Sequence, residues 1–243
     1  MRVTQHNTYL LDLVRDAQRG TMAPAQFQRP YVWRRQDVLA LLHSINKGFP
    51  IGSFLLWQPS SDTQYHRGQQ LGPFAVPQAE HPTLLLDGQN RMVSLAWAVF
   101  NPEEKPTVGI PDSQAQVWQS DKRLTLDLVT GDYSFMAPEQ AREGLKIGAY
   151  AVLGANPSVT NPLVRALWDT QWDAFKEEAK NDALRMLDRC MDRMREAKCV
   201  CTLLENANET EALEAFLHIC RVGVPMSEQD FLNAVRVRNS RSR

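Results

Sequence analysis

The chain has little that would tie it to an oxidising compartment, a membrane or a polyanion. Its 243 residues hold four cysteines, Cys190, Cys199, Cys201 and Cys220, too few and too unevenly placed for a disulfide framework. Cys199-Val200-Cys201 has the spacing of neither a zinc knuckle nor a redox pair, so these thiols read as reduced and structural. No uninterrupted apolar run approaches the ~20 residues that a membrane span needs. The first residues also lack the basic-then-apolar layout of a secretory signal, so the expected location is the cytoplasm, with no membrane partner. A dominant charge sign is missing too. With 27 Lys and Arg against 28 Asp and Glu the formal net charge is −1, and any contact with nucleic acid would rest on a local patch. The histidines, His6, His43, His66, His81 and His218, are scattered without metal-ligand spacing. No internal repeat or low-complexity block occurs.

What is present is apolar substance in periodic segments, 43% hydrophobic residues in all, enough for a substantial core. Tyr9, Leu10, Leu13, Val14 and Ala17 make one helical face that Gly20 ends, and residues 23–27 read as extended. Val38, Leu39, Leu42 and Ile45 recur at helical spacing up to Gly48, and Pro50 to Trp57 follows as a buried strand. Residues 58–82 form an exposed connection with at most a short strand. Leu124, Leu126 and Leu128 alternate with polar residues, and Thr130-Gly131-Asp132 turns the chain back through Tyr133 and Phe135 as a hairpin. Residues 138–160 are irregular. Asn161-Pro162 then opens a helix, and one apolar stripe runs from Val164 through Trp168, Trp172 and Phe175 to Met194 without a break. Cys199 to Leu204 reads as a strand, Thr210 to Cys220 as a helix, and Ser227-Glu228-Gln229-Asp230 as the capping box of a last short helix before a basic tail. The expected class is α+β, with an α+β core over 1–137 and a mainly helical region over 138–243 packed on it.

Chemistry concentrates in Leu84-Leu85-Leu86-Asp87-Gly88-Gln89-Asn90-Arg91. An apolar strand buried on both faces stops on a carboxylate and a glycine. The chain turns directly into a helix whose apolar side carries Met92, Val93, Leu95, Ala96, Val99 and Phe100. At such a corner the first-turn N–H groups and the positive dipole end favour an anion, and Arg91 adds a cation. Asp87 is a candidate ligand for Mg²⁺ or a ribose hydroxyl, and Gln89 and Asn90 offer neutral donors and acceptors. The plainer alternative is an acidic residue capping an ordinary helix. A second cluster, Gln28-Arg29-Pro30-Tyr31-Val32-Trp33-Arg34-Arg35, gathers aromatics and arginines around a proline that disfavours helix at Arg29. Arg29 is expected to complete the anion pocket beside Gln28. Tyr31 and Trp33 are candidates for base stacking, with burial in the core the alternative for Trp33, and Arg34 and Arg35 for contact with nucleic-acid phosphate.

Several of these motifs occur together in one order: Gly20, Phe27-Gln28-Arg29-Pro30-Tyr31-Val32-Trp33, Gly48-Phe49-Pro50-Ile51-Gly52, Leu86-Asp87-Gly88-Gln89-Asn90-Arg91 and, weakly, Phe216 to Ser227. In this the chain resembles the N-terminal domain of GmrSD-type modification-dependent restriction systems, whose core is similar to the ParB and sulfiredoxin nucleotide-binding fold. The resemblance implies nucleoside triphosphate binding and hydrolysis, often with a guanine preference, at the Asp-Gly-Gln-Gln-Arg signature. Asp87, Gln89 and Arg91 would then be catalytic, and Gln28, Arg29, Gly88, Asn90 and Arg91 nucleotide-binding. It further implies modified DNA sensed near the Gln-Arg-Pro-Tyr segment. Mg²⁺ is expected on Asp87, and another reading makes the chain the regulatory partner of a separately encoded nuclease, since no nuclease is expected in this chain. Asn90 stands where the family usually has a second Gln, which shortens the amide's reach, and His218, Cys220 and Val222 replace polar residues of the C-terminal motif. The rival reading is a DNA-binding or protein-adaptor module with a vestigial pocket. On the phosphate reading Arg91→Ala abolishes nucleotide binding and leaves the melting temperature nearly unchanged.

Overall fold

The computed structural model describes residues 1–28, 30–60, 63–171 and 174–222. Its centre is a mixed sheet of five strands in the order β1-β10-β3-β6-β2, formed by β1 (Arg2–Tyr9), β2 (Met22–Pro24), β3 (Ser53–Pro59), β6 (Thr83–Asp87) and β10 (Lys198–Ala207). β10 runs antiparallel to β1 and parallel to β3, β6 is antiparallel to β3, and β2 is parallel to β6. The short strands β4 (Gln70–Leu71) and β5 (Phe74–Ala75) pair with each other, and β8 (Tyr133–Met136), β7 (Arg123–Asp127) and β9 (Lys146–Gly148) form a separate antiparallel sheet. The helices are α1 (Leu10–Arg19), α2 (Arg35–Lys47), α3 (Gln89–Val99), α4 (Asp112–Trp118), α5 (Ala149–Leu153), α6 (Pro157–Gln171), α7 (Glu177–Glu196) and α8 (Glu209–Val222). The chain is therefore α+β, as expected. The division expected at 137/138 cuts across the main sheet, because β10 from the second part lies between β1 and β3 from the first.

The strands that carry the site are the apolar ones. Leu84, Leu85 and Leu86 of β6 and Phe54 and Trp57 of β3 are fully buried, as expected of strands covered on both faces. Helix α3 buries Met92, Val93, Leu95 and Ala96 in the same core. Gly20 closes α1 in the left-handed conformation, φ +83°, a C-cap that other residues adopt at a cost. Among the described residues no helix is long and apolar enough to cross a membrane.

Several sequence expectations change. β1 went unseen because it is an edge strand with no buried face: Val3 stays exposed, and there is no apolar alternation to read. The stretch 138–160 is not irregular; β9 and α5 lie within it, burying Ile147, Ala149, Ala151, Val152 and Leu153. The helix expected to open at Asn161-Pro162 opens five residues earlier at the same dipeptide. Asn156 Oδ1 accepts the Ser158 N–H at 3.1 Å, Pro157 is the first helical residue, and Pro162 falls inside α6. The single stripe to Met194 is two helices, α6 and α7. Arg29, Trp172, Gly223, Pro225, the Ser227 capping box and the basic tail lie outside the described residues.

Candidate functional site

The strand-to-helix corner is built so that only glycine fits at its apex. Gly88 has φ +100°, and a Cβ there would lie 2.3 Å from Phe54 Cδ1, so a side chain would be strained in backbone and in contact. Helix α3 starts at the next residue with no side-chain cap, which leaves first-turn N–H groups without an intrahelical partner. They border a cavity of about 80 Å³ lined by Gln28, Trp33, the run Asp87–Arg91 and Phe216 of α8. Gln89 contributes a buried Oε1 with no hydrogen-bond partner. Asp87 is partly exposed and lies 3.6 Å from Arg91 Nη2.

Arg91 is the most heavily engaged residue of the signature. Its Nη1 donates to the Ile51 carbonyl at 2.8 Å and its Nη2 to the Ser53 carbonyl at 2.6 Å. The guanidinium carbon lies 4.7 Å from the centroid of the Phe54 ring, within cation–π range. Gly52, at φ +87°, makes the room: a Cβ there would stand 2.4 Å from Arg91 Nη1. Burial pushes the guanidinium below its ordinary pKa, against the opposing pull of Asp87. The Gly48–Gly52 motif and the Asp87–Arg91 motif thus form one joint, with Arg91 as the brace across it. With both Nη groups bonded inside the fold, Arg91→Ala should lower the melting temperature, against the expectation of no change.

The Gln28–Trp33 segment meets the same corner. The Gln28 amide donates to the carbonyls of Leu85 and Leu86 at the end of β6, and Asn90, itself buried, accepts the Val32 N–H at 3.0 Å. An amide at position 90 therefore serves the chain's own backbone. Trp33 is half-buried and lines the cavity. Tyr31 does not offer a stacking face: its ring is buried, its hydroxyl is 2.9 Å from Ser94 Oγ, and Trp118 Nε1 donates to it at 3.4 Å. Burial raises its pKa. Arg34 is exposed, with its N–H on Asp37 Oδ2 at 2.8 Å as α2 begins. Arg35 leaves the corner altogether, donating to Ser120 Oγ and lying 5.3 Å from the centroid of the Phe135 ring. The structure thus brings together Gln28, Trp33, Asp87, Gly88, Gln89, Asn90 and Arg91, and not Tyr31, Arg34 or Arg35. Sequence reasoning gave no role to Gly52, Phe54 or Phe216. The glycine pair at 48 and 52 was the available signal for the first.

A mixed-sheet α+β domain in which three separated motifs converge on one helix N-terminus defines the class to which this chain is referred. The chain belongs to the family of GmrSD restriction endonuclease N-terminal domains, which matches residues 10–236. It is also similar to an uncharacterized protein of Methanocaldococcus jannaschii, 37% identical over an alignment of 108 residues that covers 42% of this chain and 18% of that protein. The match thus spans less than a fifth of that relative's length.

Proposed function

We propose that this domain is the nucleotide-sensing, regulatory part of a modification-dependent restriction system of the phage-defence type, with the terminal phosphate of a nucleoside triphosphate seated at the start of α3. The observation that carries the reading is an uncapped helix N-terminus opening on a small polar cavity in which Gln89 Oε1 has no partner. Backbone N–H groups at such a terminus suit a phosphate. A cavity of about 80 Å³ is far below the ~300–1,000 Å³ of sites that enclose a whole ligand. It takes one end of the nucleotide, with Trp33 at its edge as a face for the base. In this reading Gln89 Oε1, buried without a partner in the free protein, accepts a hydrogen bond from a water and orients it toward phosphorus. Asn90 and Arg91 hold the corner in shape, and in this reading their role in binding is indirect.

Asp87 fits a Mg²⁺ ion as its one protein ligand. Among the described residues no group of three or more His, Cys, Asp or Glu is arranged for a metal, and Mg²⁺ is commonly held by one or two carboxylates with phosphate and water oxygens. When bound, the ion would neutralise charge on the phosphate oxygens. A core similar to ParB and sulfiredoxin, a nuclease partner and modified DNA as the sensed ligand belong to the same proposal.

The test is binding and turnover of GTP, ATP and CTP with Mg²⁺, with and without DNA, by the full chain and its Asp87→Ala and Gln89→Ala variants. Binding that Asp87→Ala removes, with turnover that Gln89→Ala removes, is the expected outcome. Binding without turnover makes the domain a switch. No binding by a folded protein overturns the proposal in favour of the adaptor, which would hold DNA in a salt-sensitive manner without nucleotide.

A further inference from the structure

A second and larger cavity lies away from the α3 corner, between the C-terminal half of α2, the middle of α7 and the β7–β8 turn, with a volume of about 520 Å³. Its size falls within the ~300–1,000 Å³ typical of small-molecule sites. The rim carries His43 and Lys47 from α2 and Arg189 and Arg193 from α7, against the single carboxylate of Asp132. Among the described residues no ion pair involves these four; the neighbouring pairs on α7 are Arg185 with Asp182 and Arg195 with Asp192. The cations are therefore unspent, unlike Arg91.

The floor is polar and incompletely satisfied. Tyr133 is 9% exposed, and its hydroxyl meets the Cys190 thiol, which joins burial in raising its pKa. Asn46 spends its Nδ2 on the Gly131 carbonyl at 3.1 Å, while its Oδ1 is buried and unpaired. A buried polar atom left unpaired is costly, and Asn46 Oδ1 at the base of this cleft points to a ligand that supplies its partner. Asn46 Oδ1 asks for a donor, and the phenol beside Cys190 has a lone pair left to accept one. Burial raises the pKa of Tyr133 well above its ordinary value, so the phenol stays neutral and adds no charge opposed to an anion. Leu39, Ala40 and Met186 supply apolar wall.

We infer that this cleft is a binding site for a small phosphorylated ligand of nucleoside monophosphate type, its polar ring edge on Asn46 and Tyr133 and its phosphate among Lys47, Arg189 and Arg193. A ring with apolar faces and a donor-bearing edge matches wall and floor together. A free inorganic anion would use the rim alone. The site is independent of the α3 corner and stands whether or not that corner binds triphosphate.

The experiment is a titration of the full chain, labelled with ¹³C at its methionine methyl groups, with AMP and GMP in the absence of divalent metal. Met186 lines the cleft and reports on it, whereas Met92, beside Arg91 on α3, reports on the other site. Saturable movement of the Met186 signal alone is expected, weakened about tenfold or more by the double variant Arg189→Gln/Arg193→Gln, as loss of charge-assisted bonds to phosphate requires. Tyr133→Phe should weaken binding severalfold, as loss of one hydrogen bond to the ring edge requires. No movement of Met186 at millimolar ligand overturns the inference. So does equal movement with inorganic phosphate that ignores Tyr133→Phe, which means a cationic rim without a site. A response to a single-stranded oligonucleotide but not to the monophosphates overturns it as well and assigns the cleft to nucleic acid.

Discussion

Replacing Arg91 with methionine removes the guanidinium and keeps most of the stem's packing, so the loss measures the brace itself. Two charge-assisted hydrogen bonds, to the Ile51 and Ser53 carbonyls, are worth about 1.5–3 kcal/mol each. The contact over Phe54 adds about 1–2 kcal/mol when desolvated. The Asp87 pair, at 3.6 Å and with its carboxylate more than a third exposed, adds about 0–1 kcal/mol. Against these stands the recovered cost of burying a cation, leaving a net loss of about 3–5 kcal/mol. For a chain of this size each kcal/mol moves the melting temperature by about 2–4 °C, so the variant should melt roughly 10 °C lower. Thermal unfolding followed by circular dichroism reads this directly. Arg91→Lys should recover only part of the loss, because an ammonium cannot bridge both carbonyls as the planar fork does. A cycle with Gly52→Ala should be non-additive, since the added Cβ would stand 2.4 Å from Nη1 and loses its clash once the guanidinium is gone. A melting temperature within about 2 °C of the parent, together with lost nucleotide binding, would refute the brace and restore Arg91 as a free phosphate ligand.

Two further predictions concern the buried phenols. Tyr31→Phe strands Ser94 Oγ and Trp118 Nε1 and should lower stability by about 1–2 kcal/mol in denaturant titration; no change would mean that those groups find other partners. Alkaline pH should destabilise the protein. Tyr31 and Tyr133 have raised pKa values in the fold, so the native state keeps protons that the unfolded chain releases near its ordinary value of about 10. Their contribution is complete below that value and declines as pH rises through the folded ones. Unfolding at graded pH above 9 should therefore show a falling stability that is shallower in Tyr133→Phe, and equal slopes in parent and variant would discount that phenol.

The elements that the sequence revealed best are those whose apolar pattern has one buried side. α1, α2, β6 with α3, and the β7–β8 hairpin all lie where periodicity placed them within a few residues. The misses share a cause. β1 has no apolar face to announce it. The placement of α6 turned on two Asn-Pro dipeptides five residues apart, each a valid helix start, and tertiary packing chose the earlier one: Thr160 Oγ1 donates to the Ala151 carbonyl of α5. That choice cannot be made from local chemistry alone.

The candidate site was legible as a location and less so as a set of roles. A carboxylate, a glycine and a polar run between an apolar strand and an apolar helix signal a corner open to an anion, and the corner is there, with an uncapped helix and a small cavity. Residue type alone does not say whether a charge is spent. Arg91 and Arg35 read as free cations, yet one bonds two carbonyls and covers Phe54 while the other bonds Ser120 and lies near Phe135. Arg189 and Arg193 border the larger cleft and have no ion pair among the described residues. What separates the two pairs is long-range: whether backbone carbonyls and aromatic faces more than 30 residues away in sequence arrive at the guanidinium. Ile51, just before β3, and Ser53, its first residue, supply such carbonyls to Arg91. The room that Gly52 makes for Arg91 at left-handed φ belongs to this joint, and it becomes visible only after the two motifs are folded against each other.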